Sequence, residues 1–399
     1  MNAERTLKVT LLSTSFPLAP GSASGIFVAR LVDRLAELID VIVITPADTT
    51  VNERVQRGNA VVIPCRYAPD RWQLLTHRPG GLPVSLQKHR GLWLLVPALL
   101  LSLAWRCLRE ARSSDVLHAN WAICGCIAGF VGLFLRKPVL TTLRGEDVTR
   151  AAKNRIDNLL LKLCVKISRG VVCVSNDMLD WLNSRLPAAA HKLILIENGV
   201  DEGFLKVGGG RVQQAGRDTV RFITVGSLIP RKGIDQIIQA LAQINISSQL
   251  RLEIVGGGPE ETRLRKLADD LKVSDQVYFS GPVAPEYIPG KLSEADIFIL
   301  ASHSEGRPNA LVEAMAAGMP VIASDISGVR ELVEQHRTGL LFTDGNAGQL
   351  AGHMQALVSD RELRERLGRA GHEFVIGRGY TWSDCARRYI QVYRQIAQG

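Results

Sequence analysis

No disulfide framework, nucleic-acid motif, internal repeat or low-complexity tract is visible in the 399 residues. The seven cysteines are odd in number and scattered, which argues against a disulfide scaffold and for a reducing compartment. Cys124-Gly125-Cys126 has no second cysteine pair and lies in an apolar helical run, so it reads as core packing and not as a metal site. No basic segment is interleaved with aromatics and no helix-turn-helix pattern appears, which leaves nucleic acid out of the expected partners. The first predicted strand is followed by Pro-rich sequence and not by Gly-x-Gly-x-x-Gly, and no acidic residue ends the second, which disfavours a dinucleotide-dependent oxidoreductase. Long hydrophobic runs are missing too. The most apolar stretch, Leu92–Trp105, is 14 residues long with Pro97 inside it, too short to span a bilayer. At the amino terminus Glu4, Arg5 and Lys8 accompany only a short apolar run that reads as a strand, so no secretory leader is expected.

What is present is an ordinary globular composition, 46% hydrophobic and 22% charged, in a chain long enough for two cores. Its charge is uneven. Residues 1–200 hold 25 Lys plus Arg against 15 Asp plus Glu, whereas residues 201–399 hold 23 against 24. All the excess positive charge therefore lies in the first half, which points to an anionic partner there: lipid headgroups or a phosphate-linked acceptor. Lys88, His89 and Arg90 precede Leu92–Trp105, and Arg106, Arg109 and Arg112 follow it. That stretch reads either as a buried helix or as one lying partly in a membrane surface.

Apolar runs of strand length alternate with amphipathic helical stretches, the pattern of parallel sheets covered by helices. Strands are predicted at Leu7–Leu12, Val41–Thr45, Ala60–Pro64, Val116–Ala119, Val139–Leu143, Gly170–Val174 and Leu193–Glu197. The polar, Gly-rich segment Lys206–Arg217 reads as an inter-domain loop. A second series follows at Val220–Val225, Leu252–Val255, Gln276–Phe279, Ile297–Leu300 and Val321–Ala323, and a last helix is predicted from Thr381 to about Gln395. The expected division is a first domain of residues 1–205, a second of 206–379 and a terminal helical segment of 380–399.

The segment Ser304–Met319 carries the most chemistry. Pro308 suits a first helical position, Asn309–Ala317 are mostly good helix formers, and Gly318 ends the run before Val321-Ile322-Ala323. Glu305 then sits in the lead-in loop and Glu313 on the helix. The amides of Asn309, Ala310 and Leu311 would point out of the helix start, where free donors and the helix dipole favour a diphosphate. A carboxylate on either side can accept from sugar or ribose hydroxyls. Two acids at a helix start would otherwise be read as capping charge. Gly226-Ser227-Leu228-Ile229-Pro230-Arg231-Lys232-Gly233 follows the first strand of the second series and opens a helix, so Lys232 and Arg231 could reach a diphosphate. Gly256-Gly257-Gly258-Pro259 follows the next strand. In the first half, Pro20 to Phe27, with Gly25, lies between the first strand and its helix, where glycine allows close backbone approach to a ligand. His118 and Arg144 each end a strand. Arginine cannot serve as a base at neutral pH, so Arg144 reads as a binding or electrostatic residue and His118 as packing.

The run Ala301–Ser324, together with the Gly226–Gly233 loop, resembles the donor-site signature of the family 4 retaining glycosyltransferases, and the resemblance extends over nearly the whole chain. It implies an α/β fold of the GT-B architecture: two facing Rossmann-like domains with parallel sheets, an inter-domain cleft, and a terminal helix that crosses back to the first domain. It implies a nucleotide-diphosphate sugar as donor, a glycan or lipid-linked acceptor, and no cofactor. Lys232 would contact the donor diphosphate, Glu305 the sugar hydroxyls and Glu313 the ribose, with the Val283 backbone at the base. The family often has arginine where this chain has Ser227, which makes Arg231 the candidate second cation, and many relatives have histidine where Arg144 stands. Asn198-Gly199-Val200-Asp201 fits the family's inter-domain turn. Asp-x-Asp, the metal-diphosphate ligand pair of the other large glycosyltransferase fold, is absent from the chain, so a metal-independent site is expected. The expected location is cytoplasmic, with an anionic membrane surface as a further partner for the first domain. The rival reading is a catalytically silent sugar-nucleotide or lipid-binding protein of the same fold.

Overall fold

The computed structural model describes residues 6–18, 25–51, 53–77, 85–86, 90–210, 219–246 and 249–398. The chain divides into two compact units, Met1–Gly199 with Trp382–Gly399, and Val200–Thr381.

The first unit is built on an eight-stranded sheet. Its strands are β1 (Lys8–Leu12), β2 (Asp40–Pro46), β3 (Val55–Arg57), β4 (Ala60–Cys65), β5 (Val116–Asn120), β6 (Val139–Thr142), β7 (Gly170–Cys173) and β8 (Leu193–Leu195), in the order β3-β4-β2-β1-β5-β6-β7-β8. All pairings are parallel except that of the edge strand β3 with β4. The core strands are short and rich in valine, isoleucine and leucine, and β5, β6 and β7 are buried throughout, as strands covered on both faces must be. On one face the helix Ile26–Ala36 packs with the terminal helix Trp382–Gln398. The helices Val96–Ala111, Ala122–Leu135 and Arg155–Ile167 pack side by side over the other face.

The second unit holds β9 (Thr219–Val225), β10 (Gln249–Val255), β11 (Val277–Gly281), β12 (Ile297–Leu300), β13 (Val321–Ser324) and β14 (Leu340–Phe342), all parallel, in the order β11-β10-β9-β12-β13-β14. Every strand predicted from the sequence is present. Two were not foreseen: β3, too short and polar to show a pattern, and β14, three residues between turns. The segment Lys206–Arg217 is not simply a linker. Glu202–Gly209 is a helix that buries Phe204 in the second unit's core, so the division falls earlier, at Gly199/Val200, and residues 211–217 lie outside the described residues.

The apolar stretch Leu92–Trp105 also departs from expectation. A 3-10 turn over Arg90–Leu95 runs into the helix Val96–Ala111, giving a helical segment at Gly91–Ala111 of 21 residues that contains an 18-residue stretch of mean hydropathy 1.8, long and apolar enough by composition to cross a membrane. Leu99, Leu103, Cys107 and Ala111 are buried in the core of the first unit. The opposite face is not buried.

The terminal helix is tied to the first sheet by a buried polar chain. Tyr393 Oη lies 2.7 Å from His118 Nδ1, His118 Nε2 lies 2.8 Å from Thr142 Oγ1, and Tyr389 Oη is 2.9 Å from the same hydroxyl. His118 is therefore a packing residue, as expected. Burial holds its pKa down to about 3, against an ordinary 6.5. A depressed histidine confers stability that is fully present above pH 6.5 and is lost as pH falls toward about 3, because the unfolded chain takes the proton first. His118→Gln, which cannot take a proton, should show a shallower loss of melting temperature between pH 7 and 5 than the parent; equal slopes would refute the assignment. Tyr393→Phe, which leaves Nδ1 buried without a partner, should cost about 1–3 kcal/mol in urea unfolding.

Candidate active site

In the six-stranded sheet the chain goes from β9 outward to β10 and β11, then returns to lay β12 on the other side of β9. At such a reversal the two neighbouring crossovers leave toward opposite faces, and a crevice stays open at the carboxyl ends of the strands. The loops that leave this point are residues 226–233 after β9 and 301–308 after β12. They bring together side chains 73 positions apart: Lys232 Nζ donates to Glu305 Oε1 at 2.6 Å. Arg231 Nη1 donates to the Ser304 carbonyl at 3.0 Å and lies 3.6 Å from Glu305 Oε2. The Glu305 side chain is only 8% exposed and that of Lys232 19%, so the pair is shielded from water, whereas Arg231, at 52%, reaches into solvent.

The loops are held by close backbone contacts that only glycine permits. Gly233 has φ +57°, and a Cβ there would lie 2.0 Å from the Ala301 carbonyl. Gly256 has φ +140°, and a Cβ there would lie 1.9 Å from the Gly226 carbonyl. Gln236 joins them from below. Its amide nitrogen donates to the Ala301 carbonyl at 3.1 Å and to Asp344 Oδ1 at 3.0 Å, while its oxygen accepts from the Gly345 amide at 2.6 Å. His303 Nδ1 lies 2.8 Å from the same carboxylate oxygen of Asp344. One buried glutamine thus ties together the loops after β9, β12 and β14.

The helix Asn309–Ala316 begins one residue later than expected, with Pro308 at its cap in extended conformation. Glu313 lies on it, half-buried. One expectation is corrected: the Leu311 amide turns back to the Pro308 carbonyl at 3.2 Å, so it is not an open donor; Asn309 and Ala310, in the first turn, are half-buried. Ser227 is exposed in the loop after β9, and Val283, past the end of β11, is half-buried against the apolar core.

The first sheet reverses between β1 and β5. Residues 20–24 of the Pro20–Phe27 loop lie outside the described residues. Gly25 caps the helix Ile26–Ala36 at φ +70°, its backbone against that of Ser15. Arg144, just past β6, is buried, and among the described residues its guanidinium donates to neutral oxygens alone: Asn120 Oδ1 from Nε at 3.1 Å and Nη2 at 2.6 Å, and Asn198 Oδ1 from Nη1 at 2.7 Å. The Phe27 ring lies 4.8 Å from its central carbon. Asp147 accepts the backbone N–H groups of Ala122 and Arg144, and burial raises its pKa to about 6. Between β5 and the next helix, Trp121 has φ +69° and ψ 151°, a region almost reserved for glycine, and its ring meets Phe27 edge-on at 6.0 Å. Strain of this kind costs about 1–3 kcal/mol and clusters at ligand sites.

Sequence reasoning missed Gln236, Asn120 and Asp147, and took Asn198 for a turn residue. Asn120 and Asp147 could have been flagged as polar residues at strand ends; nothing local marks Gln236.

Two family models match the chain: glycosyl transferases group 1 over residues 211–374 and glycosyltransferase family 4 over residues 24–204. The chain belongs to this glycosyltransferase family. An uncharacterized glycosyltransferase of Methanocaldococcus jannaschii, MJ1178, is 26% identical over 78% of this chain and 83% of its own length. A GDP-mannose-dependent alpha-(1-6)-phosphatidylinositol monomannoside mannosyltransferase of Mycobacterium tuberculosis is 34% identical over 43% of this chain and 46% of its own. Sucrose-phosphate synthase of Thermosynechococcus elongatus superposes with a TM-score of 0.79 at 24% identity, covering 98% of this chain and 99% of that one. The two parallel-sheet α/β domains of this glycosyltransferase are those of the GT-B fold.

The Gln236 bridge leads to a stability prediction. Gln236→Leu has nearly the same volume but leaves the Ala301 carbonyl, the Gly345 amide and Asp344 short of a partner, which should cost about 1–3 kcal/mol. Nucleotide affinity should fall with it as the loops loosen. A variant with parental melting temperature and parental affinity would show that the bridge is dispensable.

Proposed function

We propose that this glycosyltransferase is retaining and metal-independent, and moves a hexose-type sugar from a nucleotide-diphosphate donor to a glycan or lipid-linked acceptor in surface polysaccharide or glycolipid synthesis. The observation that carries this reading is the Lys232–Glu305 pair at the sheet reversal, beside the start of the helix Asn309–Ala316. A diphosphate at that helix start would draw on the ammonium of Lys232, the solvent-facing guanidinium of Arg231 and the helix dipole. Glu305, released from part of its bond to Lys232, would accept from the sugar hydroxyls, and Glu313 from the ribose. The bond from the anomeric carbon to the diphosphate oxygen breaks while the acceptor oxygen bonds to that carbon from the same face. The acceptor's hydroxyl proton passes to the departing phosphate oxygen. Fixed positive charge then stabilises the leaving group without reorganisation, the role a metal would otherwise fill; the absence of Asp-x-Asp is in keeping with this. Arg144 supplies a further fixed cation, in the first unit, for binding and not for proton transfer. A nucleotide-sugar donor and a lipid acceptor are supported by the mycobacterial relative, a GDP-mannose-dependent phosphatidylinositol monomannoside mannosyltransferase. The protein would work in the cytoplasm, at the inner face of the membrane.

The deciding experiment is release of nucleoside diphosphate from a nucleotide sugar on addition of acceptor. Donors are found first by thermal shift, where a ligand at 100 times its dissociation constant stabilises by about 2.7 kcal/mol. Binding without turnover across donors and acceptors would favour the silent binding protein. Lys232→Ala should weaken nucleoside diphosphate binding by roughly 10- to 150-fold, about 1.5–3 kcal/mol, in calorimetry; unchanged affinity would remove Lys232 from the site. Glu313→Ala should mainly weaken donor binding and Glu305→Ala mainly slow turnover, since an interaction realised in the transition state lowers rate more than affinity. Parental kinetics in both variants would overturn the site.

A further inference from the structure

Nine of the sixteen exposed large apolar side chains among the described residues belong to three neighbouring helical segments of the first unit. Trp93, Leu94, Leu101 and Trp105 come from the run Arg90–Ala111; Phe130, Leu133 and Phe134 from Ala122–Leu135; Ile156 and Leu159 from Arg155–Ile167. Leu101 is 71% exposed, Trp105 70% and Phe134 75%. On the α-helices, Leu101 with Trp105, Phe130 with Leu133 and Phe134, and Ile156 with Leu159 are three or four positions apart, so each group projects from one side, away from the sheet that the buried residues of the same helices cover. Monomeric soluble proteins rarely leave so much apolar surface on one side without a partner.

The charge around it selects that partner. Residues 96–169 contain 12 Lys plus Arg against 5 Asp plus Glu. Arg109, Arg112, Arg136, Lys153, Arg155, Lys162 and Lys166 are exposed on these helices or at their ends, and have no ion pair among the described residues. A second copy of the same face would bring like charges together, whereas an anionic lipid surface offers both a home for the apolar side chains and counter-charge for the rim. Spanning is ruled out by the inward face of Val96–Ala111, whose Leu99, Leu103, Cys107 and Ala111 are core residues.

We infer that the outer face of these three helices is a monotopic docking surface for anionic lipid, with Leu101, Trp105, Phe130 and Phe134 entering the headgroup region and the surrounding lysines and arginines meeting the phosphates. This deepens the reading of the protein as a transferase for a lipid-linked acceptor, and differs from a purely electrostatic attachment in one measurable way. Charges alone let go when salt screens them, but inserted apolar side chains do not.

The test is flotation with vesicles of phosphatidylglycerol mixed with phosphatidylcholine, and of phosphatidylcholine alone, at 0.1 and 0.5 M NaCl. The parent should bind the anionic vesicles at both salt concentrations, more weakly at the higher, and the neutral ones least. Leu101→Gln/Trp105→Gln and Phe130→Gln/Phe134→Gln should each lose at least tenfold of the binding at 0.5 M NaCl. Both should keep the parental melting temperature and the parental affinity for nucleoside diphosphate. Arg109→Gln/Arg112→Gln should lose binding mainly at 0.1 M NaCl. No flotation of the parent, parental flotation of both apolar variants, or a concentration-dependent dimer that both apolar variants abolish in light scattering would each overturn the proposal. Failure of the parent to bind any nucleotide would instead strike the transferase reading and leave the vesicle result standing.

Discussion

Two adjacent parallel strands whose crossovers leave toward opposite faces cannot cover the gap between their carboxyl ends, and each sheet of this protein contains one such pair, β1 with β5 and β9 with β12. The chemistry of both units hangs from that constraint. Lys232 meets Glu305 because β9 and β12 are neighbours in space with two other strands between them in sequence. Arg144 meets Asn120 and Asn198 because β6 lies beside β5 and the chain past β8 returns over their ends. Glycines at 233 and 256 then let the loops touch backbone to backbone. Rigid loops are what a site needs when it must hold charge in place before the substrate arrives.

The two units handle buried charge in different ways. In the second, the carboxylate of Glu305 answers the ammonium of Lys232 directly, a compact pair that an incoming polyanion can re-partition. In the first, the guanidinium of Arg144 is solvated by two asparagine oxygens and an aromatic face, with no carboxylate hydrogen-bonded to it among the described residues. Its charge is therefore spread over dipoles that cannot neutralise it, and burial pulls its pKa below the ordinary arginine value. Asp147 sits close enough to feel it, yet spends its oxygens on two backbone amides. An electrostatic role for Arg144 rests on that residual field.

Much of this was legible beforehand, and the reason is periodicity. Runs such as Phe298-Ile299-Leu300 or Val171-Val172-Cys173 announce buried parallel strands, and Gly318 stops a helix wherever it follows one. The Glu305–Glu313 spacing pointed to a helix start because loop and helix are local. What stayed hidden depends on partners far along the chain. Gln236 looks like any glutamine on an amphipathic helix until Ala301 and Gly345 arrive over it. The Leu311 amide was counted as open because a regular helix leaves it so, and only the extended Pro308 before it turns that donor inward. Lys206–Gly209 reads as linker from its glycines, but Phe204 one turn earlier anchors the helix to the second core.

The helix Val96–Ala111 shows the limit of hydropathy as a guide. Leu99, Leu103 and Cys107 on one side and Leu101 and Trp105 on the other are equally apolar, so composition cannot say which side the protein keeps. Sheet packing decides: β1, β2 and β4 take the inner stripe and leave the outer one to solvent. An ordinary covering helix would carry polar residues on that outer stripe, since apolar side chains there gain nothing from folding. Their presence on three neighbouring helices, inside the half of the chain that holds all the net positive charge, is a cost the isolated fold does not explain. It is offset only if that side meets something apolar with anionic edges, and the interface of a lipid leaflet has both properties at the depth these side chains reach.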